Sequence, residues 1–402
     1  MLYVADSGNN RIRVVYPNGT VTTLVGTGTA GSSNTPPSTL ANPTLLALDA
    51  NGGFLYAVEN TGPGTSARIR KVNISDNSTS TLLVSGTGTA DLSTGTNPKV
   101  ALLSFNVRGF TINPTAGMLY LADSNHVIKR FDLSSSTAYV YACMATSLTT
   151  YPSAQLATVT NTTAGAAVPR FDLLAIGSTS STTCSVSYPG AMALDTTMSP
   201  ARLFIADSIR PAVRVLQYSP ANMTTFAGSG SGLPGSADGT GTLASFSWTG
   251  YNQVSGMAVG RDGSLYVTDV GNALVRKISS SGVVTTIAGV TGASGYVDGP
   301  AGSAKFLLKA MASNSDVILS GVAVDQFDNV YVSEISTTSG STAHRIRKIA
   351  PYSCGAGQYL SGGSCFTCLA GWYQSLSAFA GSACTICPAG TWSAAGASSW
   401  CV

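Results

Sequence analysis

Charge is what this 402-residue chain has least of: 10% of its residues are Asp, Glu, Lys or Arg, against about 25% in an ordinary soluble domain. The 21 basic and 18 acidic side chains leave a net charge of +3. Nucleic-acid binding needs a basic stripe, and this balance supplies none. Glu and Lys are too scarce for a coiled coil or helical bundle. No run of about 18 apolar residues is present, so no membrane-spanning helix is expected. Histidine occurs twice, at His126 and His344, too few for a zinc site built from several imidazoles. Neither a G-x-S-x-G elbow nor a P-loop is found. Intrinsic disorder is excluded by the 44% of residues that are hydrophobic, many of them alternating along the chain. Gly contributes 44 residues, and Ser with Thr about a quarter of the chain. Such a composition fits an all-β protein with many turns.

One phrase recurs, an apolar and often aromatic run closed by an acid. It reads Leu2-Tyr3-Val4-Ala5-Asp6, Leu55-Tyr56-Ala57-Val58-Glu59, Leu119-Tyr120-Leu121-Ala122-Asp123, Leu203-Phe204-Ile205-Ala206-Asp207, Leu265-Tyr266-Val267-Thr268-Asp269 and Val330-Tyr331-Val332-Ser333-Glu334. The acids are spaced by 53, 64, 84, 62 and 65 residues. After each acid comes a short polar stretch and a second strand in which apolar and basic residues alternate, such as Arg11-Ile12-Arg13, Arg68-Ile69-Arg70, Arg345-Ile346-Arg347. A third strand follows in several units, as in Val284-Thr285-Thr286-Ile287-Ala288. Another precedes the phrase, as in Gly321-Val322-Ala323-Val324-Asp325. The unit is four short antiparallel strands, which cannot bury both faces alone, so copies must pack face to face around an axis. The Arg or Lys of the second strand is expected to pair with the acid closing the phrase. As exposed pairs these would contribute about 0–1 kcal/mol each. A cationic ring that binds a ligand is the alternative.

The run Tyr3-Val4-Ala5-Asp6-Ser7-Gly8-Asn9-Asn10-Arg11-Ile12-Arg13 resembles the signature of NHL repeats. The loops Asp238-Gly239…Ala244-Ser245-Phe246 and Asp298-Gly299…Ala304-Lys305-Phe306 resemble the connection between NHL blades. The resemblance covers residues 1–350 and implies a six-bladed β-propeller. The first unit lacks its innermost strand and the sixth an evident outermost one, so residues upstream of Met1 are expected. Asp49, Asp195 and Asp325 end the predicted inner strands and read as turn acids. To hold calcium they would have to converge from different blades.

Eight cysteines are present. Cys143 and Cys184 flank a Ser/Thr/Ala-rich insertion over 143–188. A disulfide there would close a loop of about 42 residues and contribute roughly 3–4 kcal/mol. Cys354, Cys365, Cys368, Cys384, Cys387 and Cys401 lie in a module over 351–402, with no charged residue or His between the first and last. The spacing C-x₂-C-x₁₅-C-x₂-C from Cys365 fits a zinc ribbon but leaves Cys354 and Cys401 unused, whereas three disulfides use all six. Cys368-Leu369-Ala370-Gly371-Trp372-Tyr373 and Cys387-Pro388-Ala389-Gly390-Thr391-Trp392 resemble ephrin-receptor-like Cys-rich repeats. That resemblance implies the pairs Cys354–Cys365, Cys368–Cys384 and Cys387–Cys401. Disulfides place the chain in an oxidising compartment, outside the cell or on its surface. The sequons at Asn18, Asn73, Asn77, Asn161 and Asn222 agree.

Joined in this order, the two kinds of repeat look like the architecture of large extracellular proteins of algae and other protists, including mastigoneme-type glycoproteins of flagellar filaments. The expected function is accordingly non-enzymatic: a structural or interaction glycoprotein of the cell or flagellar surface, partnered by itself or by other extracellular proteins, with no cofactor. The alternative is a secreted enzyme or ligand-binding protein using a metal in the central channel.

Overall fold

The computed structural model describes residues 1–49, 51–59, 67–84, 107–123, 127–134, 137–142, 189–218, 221–248, 256–293, 295–299, 302–306, 321–334, 344–350, 358–361, 364–373 and 384–387. Period-2 alternation dominates the sequence, and the chain is all-β. Six antiparallel sheets follow one another in chain order. Sheet 1 holds β1 (Leu2–Asp6), β2 (Arg11–Val15) and β3 (Val21–Val25). Sheet 2 holds β4 (Pro43–Leu48), β5 (Phe54–Glu59), β6 (Arg68–Asn73) and β7 (Thr79–Val84). Sheet 3 holds β8 (Val107–Asn113), β9 (Met118–Asp123), β10 (Val127–Asp132) and β11 (Thr137–Ala142). Sheet 4 holds β12 (Pro189–Asp195), β13 (Arg202–Asp207), β14 (Ala212–Tyr218) and β15 (Ala221–Gly228). Sheet 5 holds β17 (Met257–Val259), β18 (Leu265–Asp269), β19 (Leu274–Ile278) and β20 (Val283–Ala288), with the two-residue β16 (Gly239–Thr240) beyond β20. Sheet 6 holds β21 (Val322–Val324), β22 (Val330–Glu334) and β23 (Arg345–Ile349).

The first strands of successive sheets touch in series, β4 to β8 to β12 to β17 to β21, and β1 meets β4. Where β8 passes β12 the approach is closest: a side chain at Gly109 would overlap the Gly190 carbonyl oxygen. The hydrophobic core is divided among the spaces between consecutive sheets. Ile12, Val25 and Leu40 meet Leu55, Ala57 and Val72 between sheets 1 and 2. Tyr56, Val58 and Ile69 meet Phe110 and Leu121 between sheets 2 and 3. Tyr120 and Ile128 meet Met192 and Ile205 in the next space. Phe204, Val213, Phe246 and Trp248 meet Leu265 and Val267 between sheets 4 and 5. Tyr266, Val275 and Phe306 meet Val330 and Val332 between sheets 5 and 6. Alternate residues of each phrase therefore serve opposite faces: Leu55 looks back to sheet 1 and Tyr56 forward to sheet 3. Each fully buried Leu, Val or Phe contributes about 1.5–3 kcal/mol.

The C-terminal module shows two small hairpins. β24 (Gln358–Ser361) pairs with β25 (Ser364–Thr367), and β26 (Trp372–Tyr373) pairs with β27 (Thr385–Ile386).

Candidate functional site

Each sheet presents two polar ends, and they differ. At one end lies the acid that closes the second strand. Five of the sheets carry a register shift between their third and fourth strands, at Ile12/Arg13, Ile69/Arg70, Ile128/Lys129, Val213/Arg214 and Val275/Arg276. The shift is a β-bulge, which re-aims the following side chain. That side chain is a cation in all five sheets, and Arg347 holds the matching position in sheet 6.

Arg70, Arg276 and Arg347 each sit in a cage of the same kind. Arg276 donates to Asp269 Oδ2 and Asp238 Oδ1 at 2.8 Å each, to the Ala237 carbonyl at 2.8 Å and to the Ser245 carbonyl at 3.2 Å. Arg347 donates to Glu334 at 3.1 Å, to the carbonyls of Val297 and Lys305 at 2.9 and 3.2 Å, and pairs with Asp298 at 2.5 Å. Arg70 donates to Glu59 at 3.2 Å, to Asn34 Oδ1 at 2.7 Å and to the carbonyls of Ser33 and Thr39 at 3.1 and 3.2 Å. Each guanidinium thus ties its own sheet to the connection arriving from the sheet before. The rings of Phe246 and Phe306 lie 5.2 and 4.9 Å from the guanidinium carbons of Arg276 and Arg347.

These pairs correct the expectation of exposed ion pairs. The side chains of Arg70, Glu59, Arg276 and Asp269 are all 0% exposed. Burial pushes the Glu59 carboxyl above its ordinary range, against the opposing pull of Arg70 and of the Ala41 N–H. Burial likewise pushes Arg70 down and Asp269 up. Asn34, Asp238 and Asp298 went unassigned in the sequence. Their signal is a polar side chain placed just ahead of the buried Leu40, Phe246 or Phe306 that closes each connection.

At the opposite end, first and second strands are joined by turns of four to six residues. Here a carboxylate, a tyrosine and a lysine recur on adjacent strands: Asp49 with Tyr56 and Lys71, Asp262 with Tyr266 and Lys277, Asp325 with Tyr331 and Lys348. The register sets each tyrosine opposite its lysine. Asp325 accepts from Tyr331 Oη at 3.1 Å and from Asn329 Nδ2 at 2.8 Å. Asp262 accepts from Lys277 Nζ at 3.0 Å and from the Ser264 N–H at 2.9 Å. Burial raises Tyr56 and Tyr331, helped by the neighbouring carboxylates, and pushes Tyr266 up to about 12. These phenols therefore stay neutral near pH 7, and Tyr331 donates its hydroxyl proton to Asp325. Partial burial raises Asp262 and Asp325, but hydrogen bonds outweigh it and hold both carboxyls below the usual range. Asp195 is bound locally too, by Arg202 at 2.8 Å and by Thr197 at 2.6 Å. Asp49 accepts from the Phe54 N–H at 3.1 Å. All three turn acids are thus engaged within their own sheets. Among the described residues, no three His, Cys, Asp or Glu side chains come together as a metal would require. This end of the sheets can offer hydrogen bonds and paired charges to a polar ligand.

Cys368 and Cys384 form a disulfide, with Cα atoms 5.8 Å apart. Cys387 is disulfide-bonded as well. Cys368 and Cys384, being bonded to one another, cannot serve as thiolates of a four-cysteine zinc ribbon. Cys365 lies in β25. Cys143, Cys184, Cys354 and Cys401, the insertion over 143–188, His126 and Asn161 lie outside the described residues. His344 is exposed just ahead of β23. Four sequons fall on or beside one kind of turn, the one joining third to fourth strand. Asn18 is exposed between β2 and β3. Asn73 ends β6, and Asn77 is exposed in the following turn with φ of 58°. Asn222 is the second residue of β15, paired with Gln217.

No family model and no curated protein matches the chain. Solved structures do. A structural-genomics protein of unknown function from Bacteroides thetaiotaomicron VPI-5482 gives a TM-score of 0.53 at 16% identity, over 86% of this chain and 65% of that one. An auxiliary nutrient binding protein from the same organism gives 0.49 at 14%, over 82% and 62%. Virginiamycin B lyase from Staphylococcus aureus gives 0.40 at 13%, over 92% and 86%. At 16% identity the first of these likenesses is one of fold alone, and the sheets packed in series by their first strands are propeller-like.

Proposed function

We propose that this chain is a non-enzymatic, exported glycoprotein that acts through interaction: a six-bladed propeller with a disulfide-braced Cys-rich module, serving as a subunit of a cell-surface or flagellar filament. The observation that carries the reading is the placement of the sequons. Asn18 and Asn77 lie in, and Asn73 and Asn222 beside, equivalent turns of sheets 1, 2 and 4. Glycans there would coat one rim with bulky, solvating groups and leave the opposite end of the sheets for protein contacts. The Cys368–Cys384 disulfide supports an oxidising compartment. The acids that recur at the ends of the second strands are occupied by arginines, which suits a scaffold.

Secretion of the chain from a eukaryotic host tests this. Glycopeptide mass spectrometry should find glycan at Asn18 and Asn77. Non-reducing peptide maps should find no free thiol, and sedimentation at rising concentration should show self-association or capture of an extracellular partner. Unmodified asparagines with a strictly monomeric, partnerless chain would overturn the proposal.

A further inference from the structure

A side chain that the repeated fold requires recurs from unit to unit, and one that a single unit carries answers to something else. Between sheets 4 and 5 three such side chains stand together. In the four-residue turn from second to third strand, Ile209 occupies the position of Gly8 in sheet 1 and Gly271 in sheet 5. In the connections between sheets, Gly31, Gly235 and Gly295 donate their N–H to the carbonyls of Leu40, Phe246 and Phe306, which fixes the correspondence. Leu233 then stands where the others have Thr29 and Ala293, and Leu243 where they have Pro37 and Ser303. Ile209, Leu233 and Leu243 are 45, 66 and 78% exposed. All three border the turn Ser229–Gly232: a side chain at Gly230 would touch Thr242, and one at Gly232 the stem of Arg210. The turn is closed by the Gly232 N–H on the Ser229 carbonyl at 3.0 Å. Trp248 Nε1 ties the connection to sheet 4 through the Asp207 carbonyl, at 2.8 Å.

A second apolar face lies on the C-terminal module. Apart from Met1, the most exposed large apolar side chains among the described residues are Leu243, Leu369, Leu233 and Ile386: two at the corner just described and two here. Trp372 pairs with Ile386 across β26 and β27, which sets both side chains on one face of the hairpin. Trp372 donates its N–H to the Leu369 carbonyl at 3.1 Å. Leu369, Trp372 and Ile386 are 74, 37 and 61% exposed. The Cys368–Cys384 disulfide braces the hairpin. No Asp, Glu, Lys, Arg or His occurs between Cys354 and Cys401, so covering this face takes no charge out of water.

We propose that the corner formed by Ile209, Leu233 and Leu243 is a docking site for the Leu369–Trp372–Ile386 face of a second copy of this chain. Within one molecule the two faces leave each other uncovered, so the cover for each comes from a neighbour. Exposed apolar surface grouped in this way and rimmed by polar residues, here Ser229, Ser231 and Thr242, marks a contact between proteins. The two faces are chemically matched: three aliphatic side chains on one, an aromatic and two aliphatic ones on the other, with Trp the kind of anchor that carries most of an interface's binding energy. Arg210 is exposed at the edge of the corner and meets no cation on the module. The contact is head to tail, one patch on the six-sheet unit against a different patch on the next chain. Each added copy therefore presents a fresh face, and such contacts build rings or open helical filaments. The inference deepens the assembly reading proposed above and rests on it.

Sedimentation velocity of the full chain at rising concentration tests it with three variants. The triple substitution Ile209→Gly, Leu233→Thr and Leu243→Ser returns the corner to residues that other units carry. Leu243→Asp and Ile386→Asp each place a charge on one face. All these positions are exposed, so melting should match that of the parent. We expect the parent to form oligomers that grow with concentration, and each variant to associate at least tenfold more weakly. Mixed in equal amounts, the Leu243→Asp and Ile386→Asp chains should form dimers and nothing larger, since each keeps one intact face. Variants that associate as the parent does would overturn the docking site and leave assembly through another surface standing. Loss of association in both single variants with no mixed dimer would overturn the head-to-tail pairing. A parent that stays monomeric at every concentration would overturn this inference and the assembly reading together.

Discussion

Replacing Arg276 by Ala should be among the most damaging single changes in the protein. Arg276 is fully buried and makes four contacts, two to carboxylates and two to carbonyls. Its removal leaves Asp269, also 0% exposed, with Asn272 and the Ser247 N–H as its remaining partners. Breaking a buried pair by deleting one member costs about 3–5 kcal/mol, because the survivor is an uncompensated charge. Arg13→Ala at the equivalent position of sheet 1 removes one exposed hydrogen bond and should cost about 0.5–1.5 kcal/mol. Arg276→Met combined with Asp269→Asn should cost less than Arg276→Ala alone, since no charge remains to be buried. The pH dependence follows from the sign of the shift. Burial raises Asp269 in the folded state, and losing Arg276 raises it further. A raised carboxyl binds its proton more readily when folded, so the variant's stability falls as pH rises through that value. The deficit should therefore be smaller at pH 5 than at pH 8. Denaturant unfolding with linear extrapolation measures all of this, provided the slope is unchanged. A cost for Arg276→Ala below about 1 kcal/mol, or equal to that of Arg13→Ala, would refute the assignment of the cage as buried and stabilising.

Three further outcomes are expected. Cys368→Ser with Cys384→Ser opens a loop of sequence separation 16 and should cost the C-terminal module roughly 3 kcal/mol. Amide exchange should show that loss confined to the module, with the six sheets unaffected. Among the described residues Tyr266 Oη has no hydrogen-bond partner although it is buried. Tyr266→Phe should thus be neutral or stabilising by up to about 1 kcal/mol, and ultraviolet titration should lose a phenolate that appears only near pH 12. Asp325 accepts from Phe327, Asn329 and Tyr331 and is held below its ordinary value. Its stabilisation is present above the ordinary Asp value and is lost as pH falls through the depressed one. Asp325→Asn should therefore cost on the order of 1 kcal/mol at pH 7, and melting curves should converge with those of the parent as pH falls below the depressed value. A gap that persists there would contradict this.

The six strands ending in an acid were legible because one short apolar phrase recurs ahead of an acid, and such a run, buried on both faces in Leu265–Asp269, stands out between turn residues. The order of strands within a sheet followed from short turns. The bulges ahead of Arg70 and Arg276 were not legible, since a one-residue shift in pairing leaves no mark in composition. The burial of the ion pairs was missed as well. A cation read from sequence defaults to the surface, where Arg and Lys ordinarily lie. The partners Asn34, Asp238 and Asp298 come from the preceding sheet's connection, at separations of 36 to 49 residues from their arginines, beyond the reach of a within-sheet pattern. The recurrent tyrosines were visible, but that they meet turn carboxylates depends on hairpin register.

The arginine cages bear on how the molecule comes apart. Repeat proteins whose units touch only their neighbours unravel from the ends, each unit behaving nearly as a separate element of a one-dimensional array. Here Arg70, Arg276 and Arg347 each fasten three pieces at once: their own third strand, their own second-strand acid and the connection from the sheet before. Peeling one sheet away strips the counter-charge from the next, so fraying is penalised at every junction that carries a cage.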